Sequence, residues 1–344
     1  MSSKRKGLLE GAQTSLYFGS VGRPMAAKQV DFWGQPIYNE KEVLYDGKGC
    51  VLKMNTLYVS DVDGTIYRGG QEGLRQSSRT LFEKILSQGT WLTVASGRNL
   101  YGVYDLSKLA GISLPVIAYN GAAIYDFTKG EAVATFPIKA ENAGRIFALL
   151  DSQKAPYQTC IFHPTQQRSI GYLQNGYRTR HFQEHRERIL QGQEEAVHPV
   201  SGLAYDEPMT DGSREQLLDG QCLYIGSAGK QEQIGAIYEQ VKALPGISAV
   251  MHCSPYNSQR WFVDIGSDKA GKGQAAEYLK KLLHAQELVT FGDNHNDIPM
   301  LTVADRSYVV PEAPDEVKQV ATAVLPEGDD CVLEFIAADR SKQR

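Results

Sequence analysis

The chain reads as an α/β protein, a doubly wound and mainly parallel sheet interrupted by a second α/β domain. Three observations predict this. From Leu57 onward apolar strand-like runs alternate with amphipathic helical stretches, the rhythm of a parallel sheet with crossover helices. That rhythm changes character near residue 128 and returns after residue 258, so the intervening stretch is an insertion. With 344 residues, 42% of them hydrophobic and 22% charged, the chain is long enough for about two domains with full cores. The expected division is an extension at 1–56, a discontinuous core at 57–127 and 259–344, and an inserted domain at 128–258.

Residues 1–56 are rich in glycine and polar residues, with scattered aromatics (Tyr17, Phe18, Phe32, Trp33, Tyr38) and no sustained period, the composition of an arm rather than a domain. Lys4, Arg5 and Lys6 stand at the start, but Glu10 and Gln13 break the next stretch before an apolar run of secretory-signal length develops. Met54, just before the first strand, leaves open whether the arm is an extension or a misplaced start. LYVSD (57–61) is the first strand. SSRTLFEKILSQG (77–89) then puts Leu81, Phe82, Ile85 and Leu86 on one helical face and stops at Gly89. WLTVA (91–95) is the second strand, followed by SGRN, and LPVIAYNGAAIYD (114–126) is the third.

In the insertion, strands are expected at EAVATFPI, YQTCIFH, RSIGYL, QCLYIGSA and SAVMHCS, with helices near 141–152, 177–190 and 229–243. The polar stretch 193–219, with Pro199 and Pro208, reads as a surface excursion. After QRWFVDIG the first rhythm resumes: AGKGQAAEYLKKLLHA is a helix entered through Gly271 and Gly273, LVTFGD a strand, and NDIPML the start of a helix.

Composition excludes several classes of function. A formal net charge of −4 and a pI near 6.0 provide no basic field for nucleic acid, and no apolar run approaches the roughly 18 residues of a membrane span. The five cysteines, Cys50, Cys160, Cys222, Cys253 and Cys331, are widely spaced and form no CxxC pair, so neither a disulfide framework nor a zinc knuckle is indicated and a reducing cytoplasm fits best. Oligomeric state is not encoded in any of these features.

The first strand poses the functional question, because it ends in two carboxylates, Asp61 and Asp63, followed at once by Gly64 and Thr65. Burying ionised carboxylates is costly unless a cation or a donor cluster meets them. The plainer alternative is a strand followed by an Asp-Gly turn. In doubly wound sheets ligands bind beyond the carboxyl ends of the strands, which places Asp61, Asp63, Ser96 and Arg98 along one edge. GDNHND puts Asp293 and Asp297 at the same end of a late strand, so if the two strands are neighbours the four aspartates converge. Like charges about 4 Å apart repel by roughly 4 kcal/mol at an effective dielectric near 20, and oxygen-only ligands at an open site favour Mg²⁺ over zinc or copper.

Taken together, DVDGT, SGR, Lys272 in GKGQA, and GDNHND resemble, in order and setting, the four motifs of the haloacid dehalogenase superfamily of phosphotransferases. The resemblance covers about residues 56 to 338. NGAAIYD and the insertion between the serine and lysine motifs are similar to the Cof-type branch, which also holds relatives of sucrose-phosphate phosphatase. It implies a Rossmann-like core with an inserted α/β cap, and a Mg²⁺-dependent phosphatase acting on a small phosphorylated metabolite. It further implies Asp61 as nucleophile, Asp63 as general acid and base, Ser96 as a holder of a phosphoryl oxygen, and Lys272 as the group stabilising nucleophile and transferring charge. The metal would sit on Asp61, the backbone carbonyl of Asp63, and Asp293, with Asp297 and Asn296 completing or orienting that shell. Gly64, Thr65, Gly97, Arg98, Asn120 and Asn296 are the expected substrate-binding positions. The arm before the first motif is unlike the family, whose first motif usually sits near the N-terminus.

Rivals stand beside several of these assignments. Lys269 competes with Lys272, Arg98 could simply close a loop, and His295 fits an exposed loop residue better than a metal ligand. Cys160, Cys222 and Cys253 fall in apolar strand-like runs and read as core. Beside the phosphatase stand a catalytically silent phospho-ligand-binding domain and a phosphomutase; among small phosphorylated substrates a sugar phosphate is the favoured class.

Overall fold

Alternation of short buried strands with amphipathic helices produces two sheets of different construction. The computed structural model describes residues 55–68, 74–177, 209–253 and 258–342. The expected arm, apart from its last two residues, and the helix expected near 177–190, apart from Tyr177, lie outside the described residues. So does the 193–208 part of the surface excursion.

Strand β1 (Thr56–Ser60) is followed by helix Gln76–Ser87 and strand β2 (Trp91–Val94), then by helix Leu100–Ala110 and strand β3 (Val116–Ala118). In the first helix Phe82 and Ile85 are buried and Leu81 and Leu86 pack against the same core, as the spacing predicts. The second is capped by the side chain of Asn99, which accepts the Gly102 amide at 2.8 Å, and ends at Gly111 in the left-handed conformation. β3 touches the β2 side through a single bridge, Ala95 with Ile117, and then leaves the parallel sheet. It forms an antiparallel three-stranded flap with β4 (Ala123–Asp126) and β5 (Glu131–Thr135).

LPVIAYNGAAIYD is therefore two strands and not one. Tyr119, Asn120 and Gly121 have φ of 51°, 52° and 99°, and this left-handed turn reverses the chain. Asn and Gly tolerate that region, and the stretch spends both there.

The inserted sheet comprises β6 (Tyr157–His163), β7 (Arg168–Gln174), β8 (Met209–Asp211), β9 (Gln221–Gly229), β10 (Ile247–Cys253) and β11 (Trp261–Ser267), in the order β10-β11-β9-β6-β7-β8. Its pairings are antiparallel except β7 with β8. Helices Ala140–Ser152 and Gln231–Val241 cover one face, where Ile146, Phe147, Ile234 and Ile237 pack on Tyr157, Ile161, Ile225, Val263 and Ile265. The sheets thus divide at other places than residues 128 and 259. Glu131–Thr135 belongs to the flap beside the core, and WFVDIG, read as part of the core, is a strand of the inserted sheet, where Val263 and Ile265 alternate with half-exposed neighbours.

The chain returns through helix Lys272–Leu282 to β12 (Glu287–Gly292), a single turn His295–Asp297, helix Ile298–Val303, β13 (Arg306–Val309), helix Asp315–Lys318, β14 (Ala323–Val324) and helix Cys331–Lys342. The core sheet is wholly parallel in the order β14-β13-β12-β1-β2. One face, carrying Tyr58, Val289 and Phe291, packs on the helices that contribute Phe82, Val103 and Ile336. The other, carrying Leu57, Val59 and Leu288, packs on Ala275, Ala276, Leu279 and Met300. Placing β1 beside β12 aligns the ends of DVDGT and GDNHND. No helix of the described residues is long and apolar enough to cross a membrane.

Candidate active site

Asp61 comes directly after the last residue of β1 and is 5% exposed. Its amide still donates to the carbonyl of Phe291 in β12 at 2.9 Å, and Ser60 Oγ donates to its carbonyl at 2.7 Å, so the carboxylate is fixed one step beyond the sheet. The loop after β12 supplies Asp293 and Asp297. One carboxylate oxygen from each of Asp61, Asp293 and Asp297 lies within 4.8 Å of the others. Lys272, in the first turn of its helix and 2% exposed, donates from Nζ to Asp61 Oδ1 at 2.5 Å and to Asp297 Oδ1 at 2.7 Å. Lys269 is exposed, so of the two lysines it is Lys272 that enters this centre.

The electrostatics arise from that packing. Burial pushes the Asp61 carboxyl up to about 8; the Lys272 ammonium opposes the rise and Asp297 adds to it. Burial raises Asp293 as well, against the hydroxyl donated by Thr65. Burial alone would lower Lys272, but the carboxylates of Asp61 and Asp297 outweigh it and hold the ammonium above its ordinary value. Three carboxylates against one ammonium leave a formal excess of two negative charges on an oxygen-only donor set. A hard divalent cation fits such a set. Asp297 also accepts the amides of Asp293 (3.0 Å) and Asn294 (3.1 Å) on Oδ2, so it ties down the loop that carries Asp293.

Three of the four aspartates converge, and Asp63 does not join them. Its side chain is 56% exposed and is gripped by the Arg98 fork, with Nε donating to Oδ2 at 2.8 Å and Nη2 to Oδ1 at 2.5 Å. Gly64 makes this divergence possible. Its φ is +89°, and a Cβ there would stand 2.5 Å from Asp293 Oδ2, so the turn between the two aspartates closes directly over the acidic cluster. The Thr65 hydroxyl crosses to Asp293 Oδ1 at 2.8 Å.

Ser96 is buried at the end of β2, where its Oγ accepts the Arg98 amide at 3.1 Å and its carbonyl accepts the Asn120 amide at 2.9 Å. Gly97 packs against the Asn120 side chain, whose Oδ1 accepts from Asn296 Nδ2 at 3.2 Å. The serine loop, the flap turn and the loop after β12 are thereby joined around the carboxylates. His295 is exposed, its amide donating to Asn294 Oδ1, and stands outside the carboxylate cluster. Gly121 is a residue that sequence reasoning passed over: at φ +99° it lies so close to the Gly271 backbone that a Cβ would overlap it, and so presses the flap turn onto the entry to the Lys272 helix. The only signal was its place after Asn120 in NGA.

A family profile described as haloacid dehalogenase-like hydrolase matches residues 58–336. The chain belongs to the haloacid dehalogenase-like hydrolases. The family and the phosphatase type of enzyme expected from the four motifs therefore hold. Among relatives, Phosphatase YwpJ of Bacillus subtilis is 25% identical over 292 residues, covering 80% of this chain and 95% of its own. Among solved structures, a haloacid dehalogenase-like hydrolase from B. subtilis superimposes with a TM-score of 0.63 at 22% identity, covering 83% of this chain and 99% of that one. A sugar phosphatase of HAD subclass IIB superimposes with a TM-score of 0.60 at 16% identity, covering 84% and 100%. Both structures have the fold of this chain, the parallel core with its inserted sheet.

Proposed function

We propose that the protein hydrolyses the phosphate ester of a small phosphorylated metabolite, with Asp61 as nucleophile and Asp63 as acid and base. The observation that carries this reading is the contrast between two carboxylates on one strand end. Asp61 is buried and aimed at Lys272 within the acidic cluster, while Asp63 is turned outward and held by Arg98. Environments this different suit different tasks. An Asp61 oxygen attacks phosphorus, the ester P–O bond breaks, and the leaving oxygen takes its proton from Asp63. Asp63 then removes a proton from water, whose oxygen attacks the same phosphorus; the bond to Asp61 breaks and phosphate leaves. Ser96 Oγ, which accepts from the Arg98 amide, keeps its own proton to donate to a phosphoryl oxygen. Lys272 spreads positive charge over the nucleophile and the transferring group.

Asp61, Asp293 and Asp297 would hold the divalent ion, with the Asp63 carbonyl as a further oxygen; Mg²⁺ is the ion this donor set favours. Bound there, it would screen the carboxylates and polarise the phosphoryl oxygens. Four cysteines of the described residues are free thiols, which suits a reducing cytoplasm. The test is phosphate release from a panel of phosphorylated metabolites with Mg²⁺, paired with rapid-quench labelling from a ³²P substrate. Wild type is expected to turn over and to trap an acid-stable protein phosphate, and Asp61→Asn to do neither. Labelling of the Asp61→Asn protein at the wild-type level would show that another residue is the nucleophile. Binding without turnover would favour the silent ligand-binding domain instead.

A further inference from the structure

The flap turn holds three consecutive residues in the left-handed backbone region, and the first of them is a tyrosine. Tyr119 has a φ of 51°, Asn120 of 52° and Gly121 of 99°. Asparagine and glycine occupy that region readily, but a side chain as bulky as tyrosine carries a steric penalty there and stays only where its surroundings hold it. The hydrolytic chemistry gives Tyr119 no task, and yet it is fixed at both ends.

Backbone and side chain are held by different parts of the molecule. The Tyr119 amide donates to the Arg98 carbonyl at 2.9 Å, and the Asn120 amide donates to the Ser96 carbonyl at 2.9 Å, so the turn hangs on the serine loop. The Tyr119 ring, 6% exposed, goes instead into the buried cluster that contains Cys160 and Phe162 of β6 and Leu223 of β9. There its Oη lies 2.6 Å from Oγ of Ser169, a fully buried residue of β7. The next residue turns the other way: Asn120 is exposed, and its Oδ1 accepts from Asn296 Nδ2, in the loop that carries Asp293 and Asp297. Neighbouring residues of one strained turn thus join the inserted sheet to the loop of the acidic centre.

We infer that Tyr119 is a positioning residue: anchored on Ser169, it keeps the turn left-handed and so holds the Asn120 side chain against Asn296. Without the anchor, relief of the steric penalty draws the φ of Tyr119 back toward negative values, and the rotation passes through the next peptide to Asn120. The loss is then felt at the phosphate site and not in the packing of the flap, whose other ties to the inserted sheet remain. Tyr125 Oη donates to the Gln167 carbonyl at 2.8 Å, and Thr135 Oγ1 to Gln221 Oε1 at 2.7 Å. The assignment rests on the phosphatase reading, in which Asn120 is a substrate-binding position.

The experiment measures kcat/KM with Mg²⁺ on the best ester among the phosphorylated metabolites of the panel and 4-nitrophenyl phosphate, with thermal melts checking that each variant is folded. Tyr119→Phe keeps the ring and removes the hydroxyl, and Ser169→Ala removes its partner. Each should lower kcat/KM on the order of ten-fold, and the two together no further. Thr135→Val breaks a flap tie outside the turn and should stay within about two-fold of wild type. Asn120→Gly removes the side chain that Tyr119 holds while accepting a positive φ, and in that background Tyr119→Phe should cost less than about two-fold. A ten-fold cost that persists beside Asn120→Gly, an equal loss in Thr135→Val, or no loss in Tyr119→Phe overturns the positioning role. A wild type inert on every ester overturns the phosphatase reading itself, and the positioning role with it.

Discussion

Strands β1 and β10 are built on different plans, and the difference locates the chemistry. Every residue of β1 is buried, because helices lie on both faces of the parallel sheet and no side chain reaches water. β10 alternates half-buried with exposed positions along its length, since helices cover only one face of the inserted sheet. In the core, fully buried charges therefore gather where a strand ends, and there they neutralise one another, as Asp61, Asp293, Asp297 and Lys272 do. In the inserted sheet charged groups can stand within the strands, as Asp264 does at the middle of β11, and remain half exposed. The first arrangement holds charge away from water, and the second leaves it in contact with water.

The largest expected effect comes from disturbing the buried centre. Asp293→Ala removes one of three converging carboxylates and leaves Thr65 without its partner. Mg²⁺ affinity, measured by titration calorimetry, should fall on the order of 100-fold or more, and activity lost in EDTA should return with Mg²⁺ in wild type. Full turnover in EDTA would rule out a metal-dependent centre.

Next in size is the half-exposed carboxylate of the same loop. Asp63→Asn leaves Asp61 and its lysine untouched but can neither give nor take the catalytic proton, so turnover should fall about 10²- to 10⁴-fold. The loss should be least on aryl phosphates, whose leaving group is already a stable anion. A uniform loss across leaving groups would argue that the Arg98–Asp63 pair only holds the loop in shape.

Legibility in the sequence divides along the same line. The centre is written in short segments at strand ends, DVDGT, SGR, GKG and GDNHND, and a parallel sheet brings such ends together whatever lies between them. The outward turn of Asp63 was not legible, because it depends on a guanidinium fork from another loop and on the left-handed Gly64. Nor was the flap legible, since LPVIAYNGAAIYD carries apolar residues on both sides of the turn and the reversal rests on three backbone angles. The hydrogen bonds of Tyr224 and His252 to Asp264 depend on the register of three strands, and the expected boundary at residue 259 left WFVDIG on the core side.

The smallest effect tests the comparison itself. Val59 in β1 is fully buried and Val250 in β10 is 57% exposed, on the helix-free face across from Asp264. Threonine is nearly isosteric with valine, so Val→Thr at each site changes little besides one hydroxyl. At Val59 that hydroxyl enters an apolar layer between sheet and helices, and the substitution should cost about 1–3 kcal/mol. At Val250 it meets water, and the change should stay within about 0.5 kcal/mol. Urea melts of the two single variants measure the difference, with m-values checked for equality so that the midpoints report stability alone. A cost at Val250 as large as at Val59 would mean that this face is covered in solution.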